Sequence, residues 1–135
     1  MTDNEPLARW LVSDFLSHFG AFQDAPALKT LVYRPLDSVA TTGDPGNIYS
    51  ETVKAGDMTV SLTWSGLGLP FCFANPPALS ATGLHHMPSL FIGCLDASIQ
   101  VNGRRLAGNP IPREVAGRKI TSAMLAFAET WIRAP

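Results

Sequence analysis

Met58-TVSLTWSGLGLPFCFANPPALSATGLHHMPSLFIGC-Leu95 runs for thirty-eight residues without an Asp, Glu, Lys or Arg, in a chain whose charged fraction is 16%. At that fraction about six charges would be expected, and a solvated surface carries more, so the stretch predicts burial within one chain or between two. Gly66, Gly68, Pro70, Pro76, Pro77, Gly83 and Pro88 break it, because proline removes a ladder donor and glycine weakens a strand. It therefore reads as two core strands, Met58 to Trp64 and Ser89 to Leu95, joined by an apolar connection, Ser65 to Pro88. Trp64, Leu67, Leu69, Phe71, Phe73, Leu84 and Met87 make this segment the expected ligand-binding or interface surface.

Alternation in the first strand puts Met58, Val60, Leu62 and Trp64 on one face and Thr59, Ser61 and Thr63 on the other. The hydroxyl face reads as sheet surface or the wall of a polar cavity. Upstream, Ile48 to Lys54 and the Ala55-Gly56-Asp57 turn complete a hairpin. Downstream, Ser89 to Val101 leads into Asn102-Gly103, a strong hairpin signal because both turn positions require positive φ.

Outside the sheet, Asp3, Asn4, Glu5 and Pro6 open a helix, and Leu7, Trp10, Leu11, Phe15, Phe19 and Phe22 form its apolar stripe up to a stop at Gly20. Asp14 and His18 interrupt that stripe four residues apart and are expected to be neighbours, a polar pair in which a carboxylate orients an imidazole. Asp37 to Asn47 reads as a loop, as does Gly108 to Gly117. Ile120, Ala123, Met124, Phe127, Ala128 and Trp131 predict a C-terminal helix on their spacing and alanine content. The expected fold is α+β, a single globular domain over 1–135: a mostly antiparallel sheet of about four or five strands with an N-terminal and a C-terminal helix packed on it.

The candidate chemistry centres on His85 and His86. Adjacent histidines in the connection would point to opposite sides, so one would join a given site as a general base. Cys72, Cys94, His18 or Asp14 could join them at a metal, but there is no His-Glu-x-x-His or Cys-x-x-Cys spacing, so no metal and no cofactor are expected. The two cysteines read as reduced core thiols. Arg104, Arg105 and Arg113 gather around the second loop as a candidate anion-binding cluster. It lacks interleaved aromatics, and nucleic acid is not expected.

Net charge is -1, with eight acids against four bases in residues 1 to 60 and three against six in residues 61 to 135. Such oppositely charged parts pair within a chain or between subunits. No eighteen-residue apolar run and no basic-then-apolar leader is present, so the expectation is a soluble, cytoplasmic protein without membrane contact. Two function classes follow: a non-catalytic module, either a self-associating subunit such as a C2 homodimer or a binder of a small, mainly apolar ligand; or a small enzyme with a His85/His86 pocket and an arginine-bound anionic substrate group.

Overall fold

A computed structural model describes residues 1–20, 22–44 and 46–133. Two strands dominate it: β3, Met58–Asn75, and β4, His85–Val101, of 18 and 17 residues, paired antiparallel along almost their whole length. The first half of β3 also pairs β2, Ile48–Ala55, which in turn pairs β1, Ser38–Asp44. Along its other edge β4 takes three short partners in succession: β5, Arg104–Arg105, then β8, Met124–Glu129, then β9, Ile132–Arg133. The result is a seven-stranded antiparallel sheet, with β6, Pro112–Val115, and β7, Arg118–Thr121, forming a separate hairpin.

This corrects the expected architecture. The sheet has seven strands rather than four or five, and the expected C-terminal helix is strand. Backbone pairing of Ile120 and Thr121 with β6 and of Met124 to Glu129 with β4 overrides the alanine-rich helical spacing of Ile120 to Trp131, because helix propensities differ by only about 0.7 kcal/mol per residue among ordinary residues. Ser65 to Pro88 is not a connection: β3 continues through Gly66 and Pro70 to Asn75, and only Pro76 to Leu84 links it to β4. The breakers are absorbed by an irregularity between Leu67 and Pro70, where Gly66 takes φ +62° and the register with β4 shifts. Asp37 to Asn47 is likewise mostly strand, since β-branched Val39, Thr41 and Thr42 build β1; Pro45 of that segment lies outside the described residues. Within Gly108 to Gly117, the residues from Pro112 to Val115 pair with β7.

The Asn102-Gly103 turn stands where its sequence places it, whereas the expected Ala55-Gly56-Asp57 turn is the two residues Gly56-Asp57, because Ala55 belongs to β2. Ala55 pairs with Met58 around Gly56-Asp57, and Val101 with Arg104 around Asn102-Gly103, whose φ angles of +50° and +76° are those of a hairpin turn. Asn102 also clamps the neighbouring strand: its N–H donates to the Thr59 carbonyl at 2.8 Å and its Oδ1 accepts from the Thr59 N–H at 2.7 Å.

The helix begins as its cap requires, with Asn4 Oδ1 accepting from the Leu7 N–H at 3.0 Å, but α1 itself spans only Glu5–Trp10. It widens into a π turn over Leu11–Phe15 and tightens into a 3-10 turn over Leu16–His18. No described helix is long and apolar enough to cross a membrane. Burial is concentrated where β4 is flanked on both sides: Phe71, Met87, Phe91, Ile92, Cys94 and Leu125 are buried, and among the described residues only Ala55 is a buried apolar residue elsewhere. The β6–β7 hairpin lies against this core. Ile120 abuts Gly93 so closely that a Cβ there would stand 2.7 Å from its Cγ2, and the Arg118 guanidinium sits 5.1 Å from the centre of the Phe71 ring.

Candidate functional site

Two features combine exposed apolar surface with polar groups. The first is the irregular centre of the β3–β4 pair. Gly66, Gly68 and Gly93 carry no side chains there, which leaves a hollow bordered by Leu69, Leu95 and Arg118. Leu69 is 82% and Leu95 78% exposed, values far above those of the alternating core residues on either side. The breakers from Gly66 to Pro70 thus have a local consequence: the register with β4 shifts, and two leucines stand exposed beside the shift.

The second is a cleft of about 380 Å³ between the N-terminal helical segment and the ends of β4 and β9. Trp10, Leu11 and Phe15 line it from one side, Trp131 from the other, and Asp14, His85 and Arg133 bring polar groups to it. Its floor is an aromatic cluster. Phe15 meets His85, Trp131 and Phe19 edge-on at centroid distances of 5.5, 5.4 and 5.3 Å, and each such pair contributes about 0.5–1.5 kcal/mol beyond area burial.

His85 is held from behind. Its Nδ1 is 2.8 Å from the hydroxyl of buried Thr82, which also accepts the Leu84 N–H and contacts Ser80 Oγ. One ring nitrogen is therefore engaged, and Nε2 has no hydrogen-bond partner among the described residues. Arg133 is the direct cross-strand partner of His85, so their side chains leave the same face of the strand pair about 5 Å apart at Cβ.

The polar pair predicted on the helix does not form: no hydrogen bond or ion pair joins Asp14 and His18 among the described residues. The π turn over Leu11–Phe15 explains this, since it changes the periodicity on which an i, i+4 contact depends. Asp14 faces the cleft instead, and the His18 ring lies 6.3 Å from that of His85. His85 and His86 belong to β4 rather than a loop, and as consecutive strand residues they leave opposite faces; His86 is exposed.

The predicted arginine cluster sits elsewhere. Arg104 and Arg105 pair with the Val101 end of β4, fifteen residues or about 50 Å along the strand from His85, and Arg105 reaches Asp96 at 3.9 Å. Arg113 belongs to the separate β6–β7 hairpin. Of the expected contact residues, Phe71 and Met87 are buried in their own chain, Trp64, Leu67 and Phe73 are half-buried, and Leu69 and Leu84 are exposed. The hydroxyl face of β3 is sheet surface closed by ladders, Thr63 with Ser50 at 3.0 Å and Ser61 with Thr52 at 3.1 Å.

Cys94 lines the hollow at the centre of the β3–β4 pair, and neither cysteine lies in the aromatic cleft. Cys72 stands opposite Leu90, four residues or about 13 Å along β4 from Cys94, and both thiols are free. The Cys94 thiol donates to the Ala123 carbonyl at 2.9 Å; burial, then the nearby Asp96 charge, push its pKa up, against a smaller lowering by Thr121. Among the described residues, no three His, Cys, Asp or Glu side chains gather at a metal-sized site.

No family model, curated protein or solved structure matches this chain. Trp10, Leu11, Phe15, Trp131, Arg133 and Leu95 are the site residues that the sequence did not single out as such. Trp10 was visible on the helix stripe, whereas Trp131 and Arg133 reach His85 only because the C-terminus is strand.

Proposed function

We propose that the chain is a self-associating subunit whose contact surface is the irregular centre of the β3–β4 pair, with Leu69 and Leu95 as its apolar anchors. The observation that carries this is their 82% and 78% exposure within an otherwise uncharged stretch. An uncharged segment sealed inside its own chain would not leave two leucines almost wholly in water.

The total surface supports the same reading. The chain exposes 8922 Å², against about 6,900 Å² for a compact monomer of 14.5 kDa, an excess of roughly 2,000 Å². Strands of 17 and 18 residues make an elongated body, which accounts for part of that excess, but a standard interface needs only about 800 Å² per partner. Arg118 and Lys119 border the hollow, a polar rim beside exposed apolar side chains of the kind that surrounds an interface between two copies. A reduced, cytoplasmic setting belongs to this proposal and fits two free thiols held apart.

Light scattering coupled to size exclusion tests it. The wild-type chain is expected to elute as a dimer at micromolar concentration and Leu69→Glu or Leu95→Glu as a monomer with unchanged circular dichroism. A wild-type monomer at all concentrations, or a dimer indifferent to both substitutions, would refute it.

A further inference from the structure

We propose that the cleft between the N-terminal helical segment and the β4–β9 pair binds a small zwitterion of the amino-acid class bearing an aromatic side chain. This site is separate from the self-association surface and does not depend on it.

The charges decide the ligand class. Asp14 and Arg133 line the same cleft, yet neither makes an ion pair with the other or with any described residue. A purely apolar ligand would strip water from both charges and return nothing to either, which is costly. An anion alone would satisfy Arg133 and repel Asp14, and a cation alone would do the reverse. A molecule carrying an ammonium and a carboxylate answers both.

Each group has a suitable partner. Arg133 offers the planar fork that matches a carboxylate. His85, its cross-strand neighbour, adds a free Nε2 beside it, the ring being fixed through Nδ1 by Thr82. Asp14, an acceptor only when ionised, suits an ammonium. The rings of Trp10, Phe15 and Trp131 line the same cleft, and Phe15 and Trp131 meet edge-on, an arrangement that accepts another ring. A volume of about 380 Å³ falls in the lower range of small-molecule sites, above roughly 300 Å³.

Two of the three tryptophans lie in the cleft, so intrinsic fluorescence of the full chain reports on it directly. Titration with L-phenylalanine is expected to give a saturable change, with phenylacetate and phenethylamine, which each lack one charge, at least about tenfold weaker. Arg133→Gln should abolish the change, Asp14→Asn should weaken it by about tenfold or more, and Arg133→Lys should retain part of it. Trp64→Phe, remote from the cleft, should leave it intact. Asp14 and Arg133 are both exposed, so these variants are expected to keep the wild-type circular dichroism. No saturation by about 10 mM L-phenylalanine would overturn the site, and equal binding of phenylacetate or phenethylamine would overturn its zwitterion specificity.

Discussion

The long β3–β4 pair is two different structures joined at Gly66–Pro70. Beyond the irregularity, toward Asn75 and His85, β4 is flanked by β3 on one side and β8 on the other, the β6–β7 hairpin lies against it, and Phe71, Phe91, Ile92 and Leu125 are all buried. Before it, β3 lies between β2 and β4 in a meander whose apolar residues Val60, Leu62 and Trp64 are only half-buried. Apolar composition is alike in the two halves; what differs is the number of elements packed around each. Burial in this chain follows from flanking structure more than from hydrophobicity, and the exposed leucines stand at the border between the two halves.

Truncation in the two halves should separate them most. Ile92→Ala, at 1% exposure, is expected to cost about 2–5 kcal/mol in urea denaturation, through lost transfer energy and a residual cavity. Val60→Ala should cost clearly less, because its site already meets water. Equal costs would dissolve the distinction.

The hairpin's part in it is tested by glycine. Gly93→Ala sets a Cβ 2.7 Å from Ile120 Cγ2 and should lose about 1–3 kcal/mol as the hairpin shifts, whereas Gly68→Ala, whose nearest neighbour would be the Gly93 carbonyl oxygen at 3.6 Å, has room. The same urea series checks both, and similar losses at the two positions would mean that the hairpin does not seal the core.

Much of this was readable from residue order. The Asn4 cap, the turns at Gly56-Asp57 and Asn102-Gly103, and the alternation of Met58 to Trp64 rest on local backbone requirements, and the structure keeps them. The continuation of β3 through Gly66 and Pro70 was not readable, because breakers that end an isolated strand are tolerated at a bulge held by pairing on β4. Ile120 to Trp131 carries apolar residues at both helical and strand spacing, and the choice was made by the free edge of β4, which is a tertiary fact. The aromatic cleft depended on that choice: on a helix Trp131 would have had no fixed relation to His85, and on β9 Arg133 became its cross-strand partner.

A smaller effect is expected at Ser89, buried at 7% exposure with an Oγ that has no hydrogen-bond partner among the described residues. Ser89→Ala removes an unsatisfied buried hydroxyl and should be neutral or stabilising by about 1 kcal/mol in the same urea series. A destabilisation of similar size would show that the hydroxyl is satisfied in solution.

Least in magnitude is the contrast between the thiols. Burial holds Cys94 protonated above the ordinary thiol range, so at pH 8 a thiol reagent should modify exposed Cys72 quickly and Cys94 only with unfolding. For an acid whose pKa is raised on folding, the neutral form's stability is present below the unfolded value and is lost as pH rises through the folded one. Thermal stability should therefore decline on the alkaline side, and the Cys94 part of that decline should vanish in Cys94→Ala. An equal modification rate for both thiols would contradict the burial of this strand.

Hydrogen exchange of the wild-type chain, followed by mass spectrometry at high and low protein concentration, tests the central account most directly. Peptides covering Ser89–Gly93 should be protected at every concentration, and those covering Gly66–Pro70 should gain protection only where the chain associates. Concentration-independent exchange at Gly66–Pro70 would contradict the claim that the exposed border between the two halves is where one copy meets another.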